Sequence, residues 1–272
     1  GIVIVPTFWE YEASLKRANK KIRYFRTRVE DGFHINFKKL RKLLSYTTKK
    51  EINHTLYLCQ PNNPTSTLID PKEIIKLCSE FPTARIVIDE TYLFFKQDYE
   101  DLSLMKEVSE YSNLTVITSF SKFFAVPGIR IGVCGSNREN IEAIKKHQIP
   151  YGINSLAQAF IPHLLESHEF IMNSREFMEN ERKRIYQLVK ESPYLCPYEP
   201  QANFMLVKLK DNNENSTDIV NFLRQKGIIV RDGTEFSGLG NQYLRFSIGN
   251  SKENDFLLET IQNYYNSKTK PS

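Results

Sequence analysis

Short apolar runs recur along the first part of the chain, and stretches with helical spacing lie between them. "IVIV" (2–5), "HTLYL" (54–58), "ARIVI" (84–88), "LTVIT" (114–118) and "IRIGV" (129–133) are rich in Val and Ile, the pattern of buried strands. Segments 8–18, 36–45 and 71–80 read as helices, the last with Asp70 as N-cap and Pro71 at its first position. Strand–helix alternation predicts an α/β fold around a mainly parallel sheet. From about residue 153 the pattern changes to a long helical stretch, in which Pro162 is expected to kink or divide the helix. An α+β tail follows: strand 203–209, a helix near 216–226, strands in "GIIVR" and "QYLRFSI", and a helix from Ser251. The expected division is a large domain over 1–155, then a connecting helix and a smaller domain over 156–272.

Bulk properties narrow the class. The 272 residues carry 40% hydrophobic and 25% charged side chains, which excludes disordered and low-complexity classes. No apolar run reaches the roughly 18 to 20 residues of a spanning helix, and the start, "GIVIVPTFWEYEAS", reads as a buried strand and not a leader. The net charge of +5 concentrates in 16–28 and 38–44. These segments read as a solvated helix and an edge strand in preference to a nucleic-acid stripe. Cys59, Cys78, Cys134 and Cys196 lack metal or redox spacing, and the histidines lack zinc spacing. No metal is expected, and free thiols fit a reduced, cytoplasmic setting.

In an open parallel sheet, ligands gather at the carboxyl ends of the strands. Four apolar runs end in chemistry-bearing residues: "CQPNNPT" after "HTLYL", "DETY" after "ARIVI", "SFSK" after "LTVIT", and Arg245 after "QYL". Each alone is weak, since an Asn-Pro turn is often only a turn and Tyr92 or Phe8 would serve equally well as core. Their ordered occurrence at strand ends is the stronger signal. A buried Asp89 would need a cationic partner.

The set "NNPT", "DETY", "SFSKFFAVPGIRIG", "YGINSLAQAF", "QANFMLVKL" and "YLRFSIG" resembles the fold type I pyridoxal-phosphate enzymes. It is most similar to the histidinol-phosphate aminotransferase group and its relative, threonine-phosphate decarboxylase. The resemblance implies a three-layer large domain with a mainly parallel sheet, a smaller α+β C-terminal domain, and pyridoxal 5'-phosphate as cofactor. Lys122 would form the Schiff base and move the proton. Asp89 would pair with the pyridine nitrogen, while Asn63 and Tyr92 would bond the phenolic oxygen. Ser119, Ser121 and Arg130 would hold the phosphate, and Phe8 would lie on the ring face. Arg245 would clamp the substrate carboxylate, with Arg231 facing the distal group or standing in a surface ion pair. Trp9 and Glu90 carry no expected role.

The resemblance further implies a segment before "PTFWEY", with a phosphate-capping turn and a tyrosine donated across a homodimer, and no such segment is read in this chain. "NNPTS" has Ser66 where a glycine is commoner in the group. The leading functional expectation is transfer of an amino group between an amino acid, or a phosphorylated amino alcohol such as histidinol phosphate, and a 2-oxo acid. Decarboxylation of a phosphorylated amino acid, and a catalytically impaired fragment of either enzyme, are the alternatives. A dehydrogenase is disfavoured because no G-x-G-x-x-G follows a strand. Neither nucleic acid nor membrane is an expected partner.

Overall fold

The computed structural model of the chain describes residues 1–50 and 54–269. The apolar runs become strands β1 (Ile2–Val5), β3 (Thr55–Cys59), β4 (Arg85–Asp89) and β5 (Leu114–Ser119), joined by β2 (Arg23–Arg26) and β6 (Gly132–Ser136). They form one six-stranded sheet in the order β2-β1-β3-β4-β5-β6. The pairings from β2 to β5 are parallel, and β6 returns antiparallel to β5. The second sheet is antiparallel, in the order β7 (Leu195–Pro197), β8 (Phe204–Leu209), β10 (Tyr243–Ser247), β9 (Arg231–Asp232). Helices are α1 (Glu10–Arg17), α2 (Phe37–Lys49), α3 (Pro71–Glu80), α4 (Tyr99–Leu102), α5 (Phe120–Phe123), α6 (Arg138–Lys145), α7 (Ser155–Glu166), α8 (His168–Glu191), α9 (Ser216–Gln225) and α10 (Ser251–Thr269). None of the described helices is long and apolar enough to cross a membrane.

The first sheet buries one face against α2 and α3. Leu40 and Leu44, then Ile74 and Leu77, pack on Leu56, Leu58, Ile86, Ile88, Leu114 and Val116. Several of these are fully buried, and each such side chain contributes about 1.5–3 kcal/mol. Helix α3 starts as its sequence dictates, with the Asp70 carboxylate accepting from the Lys72 amide at 2.9 Å and Pro71 at the first position. A second cluster joins Phe94, Phe120, Phe123 and Phe124 to α8, the antiparallel sheet and α10. The first sheet's carboxyl-end segments therefore share a core with the second sheet.

Several expectations need correction. The strand expected at 129–133 begins only at Gly132, because Pro127–Ile129 form a 3₁₀ turn and Arg130 has a left-handed φ of 56°. "GIIVR" forms a ladder only at its last residue and the one following. Gly227 has φ 78° and Ile228 donates back to Leu223, so this stretch completes the end of α9. Pro162 lies inside α7, and the division of the helical stretch falls at Ser167. Strand β2, Arg-Tyr-Phe-Arg, has no apolar run, because a charged strand is suited to the open edge it occupies. The basic segment 16–28 is thus the end of a solvated helix and an edge strand.

Candidate active site

Parallel register brings the carboxyl ends of β3, β4 and β5 to one edge, with Cys59 opposite Asp89 and Asp89 opposite Ile117. Asp89 is the last residue of β4 and is held on both oxygens. The Tyr11 hydroxyl donates to Oδ2 at 2.8 Å, and the Thr91 amide donates to Oδ1 at 2.9 Å. Tyr11 is buried on α1, and burial, then the Cys59 thiol and the Asp89 carboxylate, push its ionisation well up. It therefore stays a neutral donor. Sequence reasoning missed Tyr11, although its place one helical turn after Phe8 in "PTFWEY" was the available signal. Phe8 is half-buried, with its ring centroid 5.9 Å from Tyr11 and 5.7 Å from the exposed Trp9.

The Asn-Pro turn and Arg245, 182 residues apart, meet directly. Arg245 Nη1 donates to Asn63 Oδ1 at 3.1 Å. The guanidinium lies 4.9 Å from the Phe204 ring centroid, and Tyr92 meets that ring edge-on at 4.8 Å. The nearby charge of Arg245 opposes the upward push of burial on the Tyr92 hydroxyl. Burial pulls Arg245 down from its ordinary value, and Tyr92 partly offsets this. Its Nε is buried with no partner among the described residues. A half-buried cation with an unsatisfied Nε and no carboxylate partner among the described residues is a costly arrangement that an anionic ligand would relieve. Arg231, opposite Arg245 in the ladder, points elsewhere: it pairs with Glu235 through Nε at 2.6 Å, in an exposed ion pair over the Phe236 ring.

The Lys122 segment has a different character. Ser119 ends β5 and caps α5, accepting from the Ser121 amide at 3.2 Å and donating to the Ile131 carbonyl at 3.3 Å. Gly132 lies opposite Ser119, and a Cβ there would meet the Thr118 carbonyl oxygen at 2.5 Å. Only glycine permits this close return, which brings Arg130 back beside the serines. The Arg130 guanidinium donates to the Pro127 carbonyl at 3.0 Å and stays exposed. Phe120, Phe123 and Phe124 occupy the inward faces of α5, so Lys122 projects outward and is exposed. Among the described residues, neither the Ser121 hydroxyl nor the Lys122 amine has a partner, and no bond links Lys122 to Asp89, Asn63 or Arg245.

Two further groups brace this edge. Asn62 Nδ2 donates to the Pro6 carbonyl at 2.9 Å and its Oδ1 accepts from Thr7 at 2.7 Å, tying the exit of β1 to the Asn-Pro turn. Glu90, expected to be idle, is fully buried and accepts from the Ser103 hydroxyl at 2.6 Å and the Leu104 amide at 2.8 Å. Burial pushes its carboxyl up to about 6.

Residues 2–261 match the family described as aminotransferase class I and II. A histidinol-phosphate aminotransferase of Methanococcus maripaludis is 31% identical over 260 residues, 96% of this chain and 68% of its own. A protein of Caldanaerobacter subterraneus provisionally assigned as a threonine-phosphate decarboxylase is 29% identical over 268 residues, 98% of this chain and 71% of its own. The crystal structure of the histidinol-phosphate aminotransferase from Clostridium acetobutylicum superposes with a TM-score of 0.89 at 27% identity, covering 98% of this chain and 78% of that one. The sheet order, the strand-end residues and these matches agree: the chain belongs to the class I and II aminotransferases, enzymes that work with pyridoxal 5'-phosphate.

Proposed function

We propose that the protein transfers an amino group between an amino acid or a phosphorylated amino alcohol and a 2-oxo acid. The observation that carries this reading is the half-buried Arg245 guanidinium, anchored on Asn63 and Phe204 with its buried Nε unsatisfied among the described residues, which suits a substrate carboxylate. The residues present also fit the cofactor. Asp89, oriented by Tyr11 and Thr91, has the charge and fixed position to pair with a protonated pyridine nitrogen. Asn63 and Tyr92 supply donors for a phenolate oxygen. Ser119, Ser121 and Arg130 lie on adjacent backbone at the end of β5, where hydroxyls and a guanidinium suit a phosphate. Phe8 would lie against the ring.

Pyridoxal 5'-phosphate, when bound, supplies an electron-withdrawing ring that takes up the electrons left at the substrate Cα. Lys122, without a partner among the described residues, would hold the cofactor covalently and then carry the proton from and to Cα. Arg245 would fix the carboxylate and so orient the substrate Cα. Arg231 would reach the distal group only after leaving Glu235.

The similarity to a protein assigned as a decarboxylase favours a second reading, loss of CO₂ from a phosphorylated amino acid. Assaying amino donors with 2-oxo acceptors, alongside CO₂ release, separates the two: transamination without CO₂ supports the proposal, and stoichiometric CO₂ overturns it. We also infer a homodimer, supported by exposed Ile149, Tyr151, Leu156 and Phe160. A cytoplasmic setting is supported by four free cysteines. Division of the chain near residue 155 is supported by strand order, since every strand of the first sheet precedes it and every strand of the second follows.

A further inference from the structure

Ser66 occupies a conformation that glycine adopts without strain, with φ 59°, and it is completely buried. A serine there needs a compensating contact, and the structure supplies one. Its hydroxyl oxygen accepts two hydrogen bonds, from the Gln201 amide at 2.8 Å and the Ala202 amide at 2.9 Å, across a sequence separation of 135 and 136 residues. Both lone pairs of the oxygen are used. Gln201 is gripped twice more, its carbonyl by Arg182 at 3.1 Å and its side chain by Lys96 at 3.1 Å.

The two ends of this link lead to the two halves of the candidate carboxylate site. On one side, the Ser66 amide donates to the Asn62 carbonyl and closes the turn that carries Asn63. On the other, residues 201–202 lead into β8, whose Phe204 lies under the Arg245 guanidinium and whose Leu206 is paired with Arg245. The bond from Arg245 to Asn63 crosses the same gap between the sheets. Ser66 and Arg245 therefore close a ring of contacts in which each fixes the span of the other.

We propose that Ser66 is a positioning residue: its hydroxyl holds the antiparallel sheet at the spacing at which Arg245 meets Asn63 and receives a substrate carboxylate. This rests on the carboxylate role of Arg245 given above. It predicts a specific division of kinetic effects. A misplaced guanidinium weakens donor binding, whereas Asp89 at the end of β4 and Lys122 on α5 keep their chemistry.

The test is Ser66→Gly, which removes the hydroxyl and leaves the backbone at ease, studied in the full chain. Residue-resolved hydrogen exchange without substrate should find the Gln201 and Ala202 amides exchanging faster than in the parent. The KM for the amino donor should rise about tenfold with kcat within twofold, and the visible absorbance of bound pyridoxal phosphate should be unchanged. Ser66→Ala should match it in KM. An unchanged KM in Ser66→Gly, when Arg245→Lys raises KM, overturns the proposal and leaves the role of Arg245 standing. An unchanged KM in Arg245→Lys removes that role, and this inference falls with it.

Discussion

The corner made by Asn63, Tyr92, Phe204 and Arg245 and the segment from Ser119 to Gly132 lie at the ends of neighbouring strands but are built in opposite ways. In the corner, groups far apart in sequence are tied to one another by a hydrogen bond, a cation over an aromatic ring and an edge-on ring pair. In the segment, the backbone is fixed by the aromatic cluster, the Ser119 cap and the close pass at Gly132, while Lys122 and Arg130 stand exposed. A group that recognises a constant feature of every substrate gains from being held in place. A group that must form and release a covalent bond gains from having no competing partner. The contrast predicts that stability and activity separate in one region and move together in the other.

The largest effect tests the segment. Lys122→Ala should reduce turnover by roughly 10⁴-fold and abolish the visible absorbance of protein-bound cofactor. The thermal midpoint should not move, because an exposed side chain without partners contributes little to the fold. A variant that retains both turnover and absorbance would end the assignment of Lys122. Next is Asp89→Ala, expected to lower kcat by roughly 10³-fold, against roughly tenfold for Asn63→Ala, which removes one neutral hydrogen bond. Equal losses would show that the charge of Asp89 is not what matters.

The corner should behave otherwise. Arg245→Ala is expected to raise the donor KM by about 10- to 100-fold and also to lower the unfolding midpoint, because Asn63 and Phe204 lose their partner. A kinetic defect at full stability would mean that the corner is less tightly built than its contacts imply.

The smallest effect concerns Glu90, which braces the strand end that both regions share. Burial raises its carboxyl to about 6 from an ordinary value of 4.5, with the nearby Asp89 charge adding to the rise. A raised folded value means that its contribution to stability is complete below about 4.5 and is lost as the pH rises through about 6. Glu90→Gln keeps an oxygen to accept from the Leu104 amide, can donate its own amide nitrogen to the Ser103 hydroxyl, and does not ionise. Denaturant unfolding at pH 4.5 and 7.5 should find this variant gaining about 2 kcal/mol on the parent at the higher pH. Parallel stability profiles would contradict the burial argument.

How far the sequence could be read depended on where the controlling contacts lie. β4, β5 and α3 were legible because apolar runs and the Asp70-Pro71 cap are local signals. β2 was not, since its pairing with β1 depends on a neighbour and its own residues are charged. The strand start at Gly132 was misplaced by three residues because the turn at Pro127 and the left-handed Arg130 consume the preceding apolar positions. Asp89, Lys122 and Arg130 are proposed as site residues from motifs alone. Tyr11 and Glu90 were missed because their value comes from burial and from partners 78 and 13 residues away.

By itself the sequence determined the strand–helix alternation, the parallel sheet and the grouping of reactive side chains at strand ends. Those follow from periodicity and from residues adjacent in the chain. Only the tertiary structure decided which of these side chains meet. Arg245 finds Asn63 and Ser66 holds residues 201–202 across the gap between the two sheets, while Tyr11 reaches Asp89 from α1. The strength of those contacts comes from burial, a property that no local stretch of sequence contains.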